Sequence, residues 1–506
     1  MGVKRPGAGV VVVLAVIALM LSLSSSVASD RSRVVVSDDP VPQGTVEKLA
    51  SQPNKPMHGV AMIRHWNEFA IDMSGQDHTP GFGEQLGPGR SSRALAIVQI
   101  AVFDAVNAIE GGYRSYTGIP AAPKGTSLEA AVSQAAHDTL VALFPSQAAS
   151  CDAELARVMG DVPKGGAKTN GIDLGRRAAA AILALRQNDG SAHAEPVYGV
   201  GYVASNDPGK WRQDPISQIP VALGAFWYQV APFVIQSTDQ FRVPPPPALD
   251  SVEYANAYNE VKDLGGDGTN TLTSRSPEQT TIGIFWAYDG RPSLCAPPRL
   301  YNQIAVKIAR ERGTSIIQTA RLLALINVAM ADAGMAIWES KYYYQFWRPV
   351  TGIRESDPGT GPSLLGDGND LTEGDTAFSP LGAPASNGLS AVNFTPPFPA
   401  YPSGHAGFGG ALFEMLRNFY GTDNISFSFT SDEFNGVTKD NDGNARPVVT
   451  RSFSKLSQAE EENGQSRIYL GIHWSFDKTE GIAQGRAVAD YVYQNAFTPV
   501  QALRRR

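Results

Sequence analysis

The chain has 506 residues, 42% hydrophobic and 18% charged, which is enough to bury a large core. Its net charge is −7, from 42 basic and 49 acidic residues, and only residues 504–506 form a basic run, so nucleic acid is not an expected partner. The two cysteines, Cys151 and Cys295, permit at most one disulfide and exclude a metal site of four cysteines. The sequence does not decide whether they pair.

Residues 1–29 have the pattern of a secretory signal peptide. Lys4 and Arg5 precede an apolar run at residues 10–23, and small residues follow at 26–29. The run is short for a membrane span, and no later segment approaches the ~20 apolar residues that a spanning helix needs. We therefore expect a mature chain without a membrane span, secreted or, in a bacterium, periplasmic. A retained N-terminal anchor is the alternative.

Residues 30–60 are polar and without periodicity, which predicts a flexible leader. From residue 61, apolar residues recur at steps of three and four, which is typical of helices. Strand signals are sparse, with residues 448–453 the best, so we predict a mainly α fold. Beyond residue 110, predicted helices lie at residues 129–143, 153–159, 174–185, 252–264, 278–288, 300–312, 315–346, 407–420, 458–470 and 480–495.

Two long segments interrupt the helical pattern. Residues 191–248 are rich in Pro, Gly and aromatic side chains and predict a long ordered loop over a surface. This loop closes an N-terminal helical half, residues 61–248, and a C-terminal helical bundle follows at residues 249–498. A second loop, residues 357–402, is dominated by Gly and Pro and leads to the first functional motif.

That motif is Pro402-Ser403-Gly404-His405, at the predicted start of a helix. Ser403 is a natural N-cap, and a helix start directs free backbone N–H groups at an anion. Gly404 allows the backbone to come close to a ligand, and His405 is a candidate proton donor beside it. Alone, the motif is more typical of a helix cap with a surface histidine.

A second motif, Lys341 to Pro349, lies near the end of the longest predicted helix. Seven residues make about two turns, so Lys341 and Arg348 are expected on one face, with Pro349 ending the helix. Two cations there could bind an oxyanion, Arg as a planar fork and Lys as a point charge. A solvated basic face is the alternative, but Trp338 and Trp347 are unusual neighbours for one.

The third motif, residues 466–477, supplies another cation, Arg467, and a second histidine, His473. Asp477 follows His473 by four residues, so in a helix it could accept the ring N–H and fix the tautomer. A structural histidine is the alternative. Only seven histidines occur in the chain, and two of them fall in these motifs.

In this order the motifs resemble the three-part signature shared by type 2 phosphatidic acid phosphatases, bacterial acid phosphatases and vanadium-dependent haloperoxidases. Over residues 281–490 the chain is most similar to the haloperoxidases, particularly the chloroperoxidase branch, through Trp286 to Gly290, residues 297–304 and residues 394–405. The resemblance implies two helical bundles, which we interpret as four-helix bundles, with the site in the C-terminal one.

The resemblance also implies a role for each motif residue. The oxygens of vanadate would be bound by polar groups of all three motifs, Lys341, Arg348, Ser403, Gly404 and Arg467. His473 would coordinate vanadium, and His405 would act as acid and base. These two histidines and the three cations are the predicted catalytic residues.

Around them, Asp289 would pair with Arg467, and Asp477 would orient His473. Trp338 and Phe398 are expected to line the pocket from opposite sides. Phe398 stands where the chloroperoxidases carry Phe and algal bromoperoxidases carry His, which favours a site dry enough for chloride oxidation. Plain core packing is the alternative for Phe398.

The expected activity is that of an exported haloperoxidase with vanadate as cofactor. Hydrogen peroxide and halide, chloride or bromide, would give hypohalous acid, which halogenates organic acceptors. The alternative is an exported acid phosphatase, with phosphate in the same pocket and a phosphohistidine at His473. A protein that only binds oxyanions is a third possibility, against which the second histidine argues. The preferred halide, the acceptor and the oligomeric state are left open.

Overall fold

The computed structural model describes residues 57–388 and 392–500, and helices make up about half of that part. The helices are α1 (Val60–Asp77), α2 (Gly87–Glu110), α3 (Leu128–Leu143), α4 (Ala148–Gly160), α5 (Gly166–Arg186), α6 (Val252–Leu264), α7 (Pro277–Phe285), α8 (Pro298–Glu311), α9 (Ile316–Tyr344), α10 (Pro349–Arg354), α11 (Gly404–Tyr420), α12 (Leu456–Tyr469) and α13 (Ser475–Asn495).

The predicted mainly α fold is confirmed. Within the described residues the single sheet is a small one, β1 (Phe427–Thr430) paired antiparallel with β2 (Thr450–Phe453). The strand expected at residues 448–453 overlaps β2, whereas β1 was not predicted because four residues carry too little alternation to be distinctive. The predicted signal peptide and nearly all of the predicted leader lie outside the described residues.

Helix α9 is the centre of the fold. It packs against α2 on one side and against α11 and α13 on the other. Its sequence, rich in Ala, Ile and Leu, is buried from residue 319 to residue 342, and a helix that is apolar all round belongs in a core. By length and composition α2 and α9 could each cross a membrane, but the apolar stretch that gives each this property is 94% buried in α2 and 100% buried in α9.

Helices α11 and α13 cross at very short range because glycines face each other. A Cβ atom on Gly485 would lie 2.0 Å from the carbonyl oxygen of Gly407, and one on Gly410 would lie 2.6 Å from that of Ile482. Only Gly fits at these points. The close crossing brings the start of α11 to the start of α13, where the backbone N–H of Ser403 donates to the carbonyl of Asp477 at 2.9 Å.

An aromatic cluster fixes the chain segments on either side of the site. Trp347, after α9, and Trp474, before α13, are buried with Tyr254 and Tyr258 of α6. The indole N–H of Trp474 donates to the carbonyl of Trp347 at 3.0 Å. Arg348 and His473, each adjacent to one of these tryptophans, are thereby held together.

The long loop predicted at residues 191–248 contains no α-helix, and α9 anchors it. Asp332 of α9 accepts the backbone N–H groups of residues 233, 234 and 235 at 2.6 to 3.0 Å. The proposed boundary between residues 248 and 249 stays a prediction. Cys151 and Cys295 are both buried free thiols, so the disulfide that the sequence permitted does not form.

Candidate active site

The Pro-Ser-Gly-His motif begins α11 as predicted. Ser403 is the N-cap in extended conformation, and its hydroxyl oxygen accepts the N–H of Ala406 at 3.4 Å. Gly404 is the first helical residue, and a Cβ atom there would lie 3.3 Å from the ring of Trp338. The glycine therefore lets the indole pack directly over the start of the helix.

The expectation that Lys341 and Arg348 share a helix face is wrong. Helix α9 ends at Tyr344 because Gln345 adopts the left-handed conformation, with φ 55°, and its N–H donates back to the Lys341 carbonyl. Arg348 is instead the N-cap residue of α10, and Pro349 begins that helix rather than ending α9. A tight turn, not a helical face, separates the two cations.

Both cations nevertheless bind the same loop segment. The Lys341 ammonium donates to the carbonyls of Pro399 and Ala400, each at 2.8 Å. The Arg348 Nε donates to the carbonyl of Phe398 at 2.9 Å. Lys341 is 0% exposed and Arg348 is 1% exposed, which rules out a solvated basic face.

Asp477 meets His473 as predicted, but at a helix start and not within a helix. Helix α13 begins at Ser475, five residues earlier than expected, so His473 precedes it. The Asp477 Oδ2 accepts both the His473 Nδ1–H at 2.7 Å and the backbone N–H of Trp474 at 3.0 Å. One carboxylate oxygen thus caps the helix and holds the imidazole.

The structure brings all three motifs together. Arg348 Nη1 lies 2.9 Å from His473 Nε2 and donates to the carbonyl of Ile472 at 2.8 Å. Arg467 Nη2 donates to both carboxylate oxygens of Asp289, at 2.8 and 2.9 Å. Asp289 Oδ1 is also 3.8 Å from His405 Nε2. The predicted Asp289–Arg467 pair is therefore present and adjoins the histidine of the first motif.

The protonated nitrogen of each imidazole follows from its partners. A guanidinium can only donate, so His473 Nε2 beside Arg348 must be the acceptor, and Nδ1 carries the proton shared with Asp477. His405 Nε2 lies 2.5 Å from the carbonyl oxygen of Ala287, which can only accept. Nε2 of His405 therefore carries a proton, and Nδ1 of the neutral ring has the free lone pair.

Three guanidinium nitrogens of the site are buried without a hydrogen-bond partner among the described residues. They are Nη2 of Arg348 and Nε and Nη1 of Arg467. Buried polar groups are rarely left unpaired, because each costs free energy when it has lost water and gained no partner. Three such donors in one place are the signature of an anion-binding site.

The basic groups of the site suppress one another's protonation. Burial lowers the pKa of Arg348 to about 9. Burial, with nearby Arg348, holds the pKa of Lys341 well below its usual range. Burial and the surrounding cations also hold the pKa values of His405 and His473 well below the usual range. An oxyanion in the middle would relieve this repulsion.

The carboxyl groups shift in the opposite direction. Burial raises the pKa of Asp477 to about 7, against the opposing effect of nearby Lys341. Burial also raises the pKa of Asp289, although its partner Arg467 favours the charged form. Opposed shifts of this kind among converging groups are common at functional sites.

Trp338 and Phe398 form one aromatic wall and do not face each other across the pocket. Their ring centroids are 4.9 Å apart, so the expectation of opposite sides is wrong. Lys341 Nζ lies 5.1 Å from the Phe398 centroid, and Arg348 Cζ lies 4.9 Å from it. Phe398 is 8% exposed. The wall therefore shields the two cations from water.

The described residues contain no group of three or more His, Cys, Asp or Glu side chains arranged to hold a metal ion. The site instead combines cationic and neutral donors with one histidine whose Nε2 lone pair faces them. Such a set suits a metal that arrives as an oxyanion, with one nitrogen ligand and many hydrogen bonds.

Sequence reasoning missed the backbone groups that orient the site. These are the carbonyls of Ala287, Phe398, Pro399 and Ala400. A carbonyl has no residue-type signature, so only the segments could be singled out. Also missed was Glu433, a fully buried side chain whose Oε1 accepts the N–H of Tyr288 at 3.3 Å.

The chain is similar to proteins of one known family. Residues 321–502 match the family model for the second helical-bundle domain of vanadium chloroperoxidase. The chain is 31% identical over 503 aligned positions to vanadium chloroperoxidase of Curvularia inaequalis, covering 82% of this chain and 78% of that protein.

Solved structures show the same fold. The first bacterial vanadium-dependent iodoperoxidase matches with a TM-score of 0.68 at 24% identity, covering 89% of this chain and 99% of that one. Holo-type bacterial vanadium-dependent chloroperoxidase matches with a TM-score of 0.59 at 15% identity, covering 90% and 98%. With the relative in Curvularia and the matched bundle domain, these findings confirm the predicted family: the chain belongs to the vanadium-dependent haloperoxidases.

Proposed function

We propose that the residues assembled here bind vanadate and use it to oxidise chloride and bromide with hydrogen peroxide. As a member of its family the protein is a haloperoxidase, with vanadate as cofactor and peroxide and halide as substrates. One observation carries the assignment of residues. Lys341, Arg348 and Arg467 meet two neutral histidines around guanidinium donors that have no partner among the described residues.

The donors fit a tetrahedral oxyanion. Besides the three guanidinium nitrogens, Lys341 offers a donor, because it uses two of its three N–H groups on carbonyls and keeps one. The Ser403 oxygen accepts from Ala406, which leaves the hydroxyl hydrogen to donate. The Gly404 amide opens α11, where the helix dipole favours an anion. These residues would hold the vanadate oxygens.

His473 would be the single protein ligand to vanadium. Its Nδ1–H is bound to Asp477, so the Nε2 lone pair is available for coordination. In the ligand-free arrangement that lone pair accepts from Arg348 Nη1. A metal held by one ligand depends on the surrounding hydrogen bonds for retention, and here three cations supply them.

Bound vanadate supplies a Lewis acid that polarises peroxide for attack by halide without a change in the metal's oxidation state. His405 would accept a proton from peroxide at Nδ1, because Nε2–H is occupied by the Ala287 carbonyl. In the ligand-free site, burial and nearby Arg467 hold the pKa of His405 well below its usual range, so the ring is neutral there and Nδ1 can accept. Peroxide, one halide ion and one proton give hypohalous acid and water.

The aromatic wall supports chloride as a substrate. Chloride is harder to oxidise than bromide and needs strongly polarised peroxide in a water-poor site. Phe398 and Trp338 shield Lys341 from solvent, which strengthens each charge interaction at the site. The relative at 31% identity is named a chloroperoxidase. The final products would be halogenated organic acceptors.

The test is halogenation of a phenol dye by the purified protein with peroxide and bromide or chloride, with and without orthovanadate. Halogenation that requires vanadate is the expected result. Arg467→Ala should abolish it, whereas Arg417→Ala, in an ion-pair network with Glu460, is the matched control. The acid phosphatase alternative is not favoured. Hydrolysis of an aryl phosphate without any vanadate-dependent halogenation would reinstate it.

We also propose that the protein is exported. The charged start, apolar run and small residues of positions 1–29 support this. N-terminal sequencing of protein recovered outside the cytoplasm should find a chain that begins close to residue 30. Recovery of the intact N-terminus from the cytoplasm alone would contradict export.

A further inference from the structure

Two contacts of the site come from one short segment that follows α7. The Ala287 carbonyl accepts from His405, and the Asp289 carboxylate accepts from Arg467. Between them Tyr288 has φ 45°, in the left-handed region that a bulky residue seldom adopts. Such a conformation persists only where the surroundings hold it.

Ser431, Asp432 and Glu433 hold this segment, and we call these three residues the 431–433 clamp. The Ser431 hydroxyl donates to the carbonyl of Phe285 at 2.6 Å. The Asp432 backbone N–H donates to the Tyr288 hydroxyl at 2.6 Å, and Glu433 Oε1 accepts the Tyr288 N–H at 3.3 Å. The clamp thus binds both the backbone and the side chain of the strained residue.

The clamp is itself rigidly supported. Glu433 is 0% exposed, and its Oε2 accepts from Arg446 and from the Ser386 hydroxyl, each at 2.6 Å. Asp432 Oδ2 accepts from Arg299 Nε at 3.0 Å and from Gln303 at 2.8 Å. A buried and fully bonded carboxylate is well suited to fix a neighbour because it has little freedom of its own.

We propose that the 431–433 clamp is a positioning device for His405 and Arg467. By fixing residues 287–289 it sets the direction of the Ala287 carbonyl, which determines the tautomer of His405. It also sets the place of Asp289, which determines where Arg467 directs its unpartnered N–H groups. The clamp residues act through this segment and are positioning residues rather than catalytic ones.

Three variants test the clamp. Glu433→Gln keeps an oxygen for the Tyr288 N–H, but its NH2 group then stands in the place of Oε2 and can accept from neither Arg446 nor Ser386. Tyr288→Phe removes the hydroxyl that accepts from the Asp432 amide and donates to Gln303. Ser431→Ala removes the hydroxyl that donates to Phe285 and accepts the Glu433 N–H. The last two create no unpaired charge, so they keep the proposal testable if Glu433→Gln does not fold.

The control is Asp104→Asn in α2. Asp104 is also a fully buried carboxylate that accepts backbone N–H groups, from Tyr116 and Thr117, both at 2.8 Å. Its loss measures the effect of breaking a buried carboxylate network that does not include the site. Thermal unfolding of all four variants puts them on one scale of stability.

For the clamp variants we expect kcat to fall ~10-fold or more with little change in the KM for halide, and the acid limb of the kcat profile to shift. Orthovanadate titration of the apoprotein by calorimetry should show ~10-fold weaker binding, because Arg467 is misplaced. Asp104→Asn should lower the melting temperature and leave kcat, its pH profile and vanadate affinity unchanged.

Clamp variants that fold and keep the wild-type kcat, pH profile and vanadate affinity would overturn the proposal. The proposal would also be overturned if a clamp variant lost no more kcat or vanadate affinity than an Asp104→Asn protein with the same melting temperature. The kinetic readout rests on the proposed function. If the wild type itself shows no vanadate-dependent halogenation, the proposed function fails, and the apoprotein titrations still decide the clamp on their own.

Discussion

His473 Nδ1 lies 2.7 Å from Asp477 Oδ2, although only Asp477 belongs to a helix. The same oxygen accepts the N–H of Trp474, the N-cap residue of α13. The same carboxylate oxygen therefore caps the helix and orients the imidazole. Because Arg348 can only donate to Nε2, the ring has a single consistent tautomer, with its lone pair directed into the anion site.

Asp477→Ala should weaken vanadate binding ~10- to 100-fold, the usual cost of removing the partner of a metal-ligating histidine. The imidazole of His473 would then be free to rotate or change tautomer. Calorimetric titration of the apoprotein with orthovanadate measures the change. Ser127→Ala, which removes the N-cap of α3, controls for the loss of a helix cap. Unchanged vanadate affinity in Asp477→Ala would contradict the role given to Asp477.

The two histidines should differ in what their loss removes. His473→Ala should abolish stable vanadate retention, because no second protein ligand is available, and should thereby also remove the increase in melting temperature on adding vanadate. His405→Ala should still bind vanadate but lose most turnover, ~10²-fold or more, as expected for a general acid–base group. Equal vanadate affinity in the two variants would refute this division of roles.

Much of the fold follows from periodicity, since apolar residues at helical spacing predicted the central helix and most of its neighbours. The predicted positions of helix ends were wrong where the conformation of a single residue decides the end. The residue type of Gln345 does not predict that its backbone adopts the left-handed conformation and ends α9. Likewise α13 begins at Ser475, where a carboxylate two residues later caps it.

The site was predictable to the extent that its chemistry lies in side chains. Lys341, Arg348 and Arg467 were identified from their type, their spacing and their resemblance to known motifs. The carbonyl of Ala287 could not be, because every residue has one. Glu433 could not be placed either, since its partner Tyr288 is 145 positions away and only the fold brings them together.

Asp332 should make stability depend on pH. Burial raises its folded pKa to about 6, against 3.8 as the ordinary value, in spite of its three backbone N–H partners. A raised carboxyl pKa means that the folded chain binds the proton more tightly than the unfolded chain. Its contribution to the unfolding free energy therefore falls as pH rises from about 4 to about 6, by roughly 3 kcal/mol at most.

Denaturant unfolding of wild type and Asp332→Asn across this pH range isolates the contribution, because other titrating groups cancel in the difference. The stability of the wild type relative to the variant should decrease from pH 4 to pH 6 and then level off. A difference that stays constant, or that grows in favour of the wild type as pH rises, would contradict the assignment.

Gly224→Ala should disturb the aromatic wall. Gly224 has φ 75°, and an added Cβ would lie 2.2 Å from Cδ1 of Trp338, so the indole must move. Gly118 has φ 74° with no atom within 4 Å of its built Cβ, so Gly118→Ala carries the same backbone strain without the clash.

Thermal unfolding should therefore show both variants destabilised, with Gly224→Ala worse by about 1–3 kcal/mol, the range for overpacking a core. The Gly224 variant alone should also lose halogenation rate, because Trp338 packs on Phe398 and over Gly404. Equal stability and equal activity in the two alanine variants would show that the indole position matters to neither.

Phe398→His should impair chloride turnover more than bromide turnover. The Phe398 ring touches Trp338 and lies about 5 Å from both Lys341 and Arg348, so an imidazole there brings a polar group, and with it water, to the two cations. Water weakens their pull on the bound oxyanion. Chloride oxidation, which needs the more strongly polarised peroxide, is then slowed more than bromide oxidation.

The measurement is kcat/KM for each halide in wild type and variant across acidic pH, at saturating vanadate. We expect the ratio of chloride to bromide turnover to fall ~10-fold, about 1.4 kcal/mol of differential transition-state stabilisation. The matched control is Phe408→Leu, which should leave the ratio unchanged. It changes a buried ring of α11 that also packs against Trp338. A wild-type enzyme active with bromide but inactive with chloride at every pH would exclude chloride as a substrate. Phe398 would then be a packing residue of the loop.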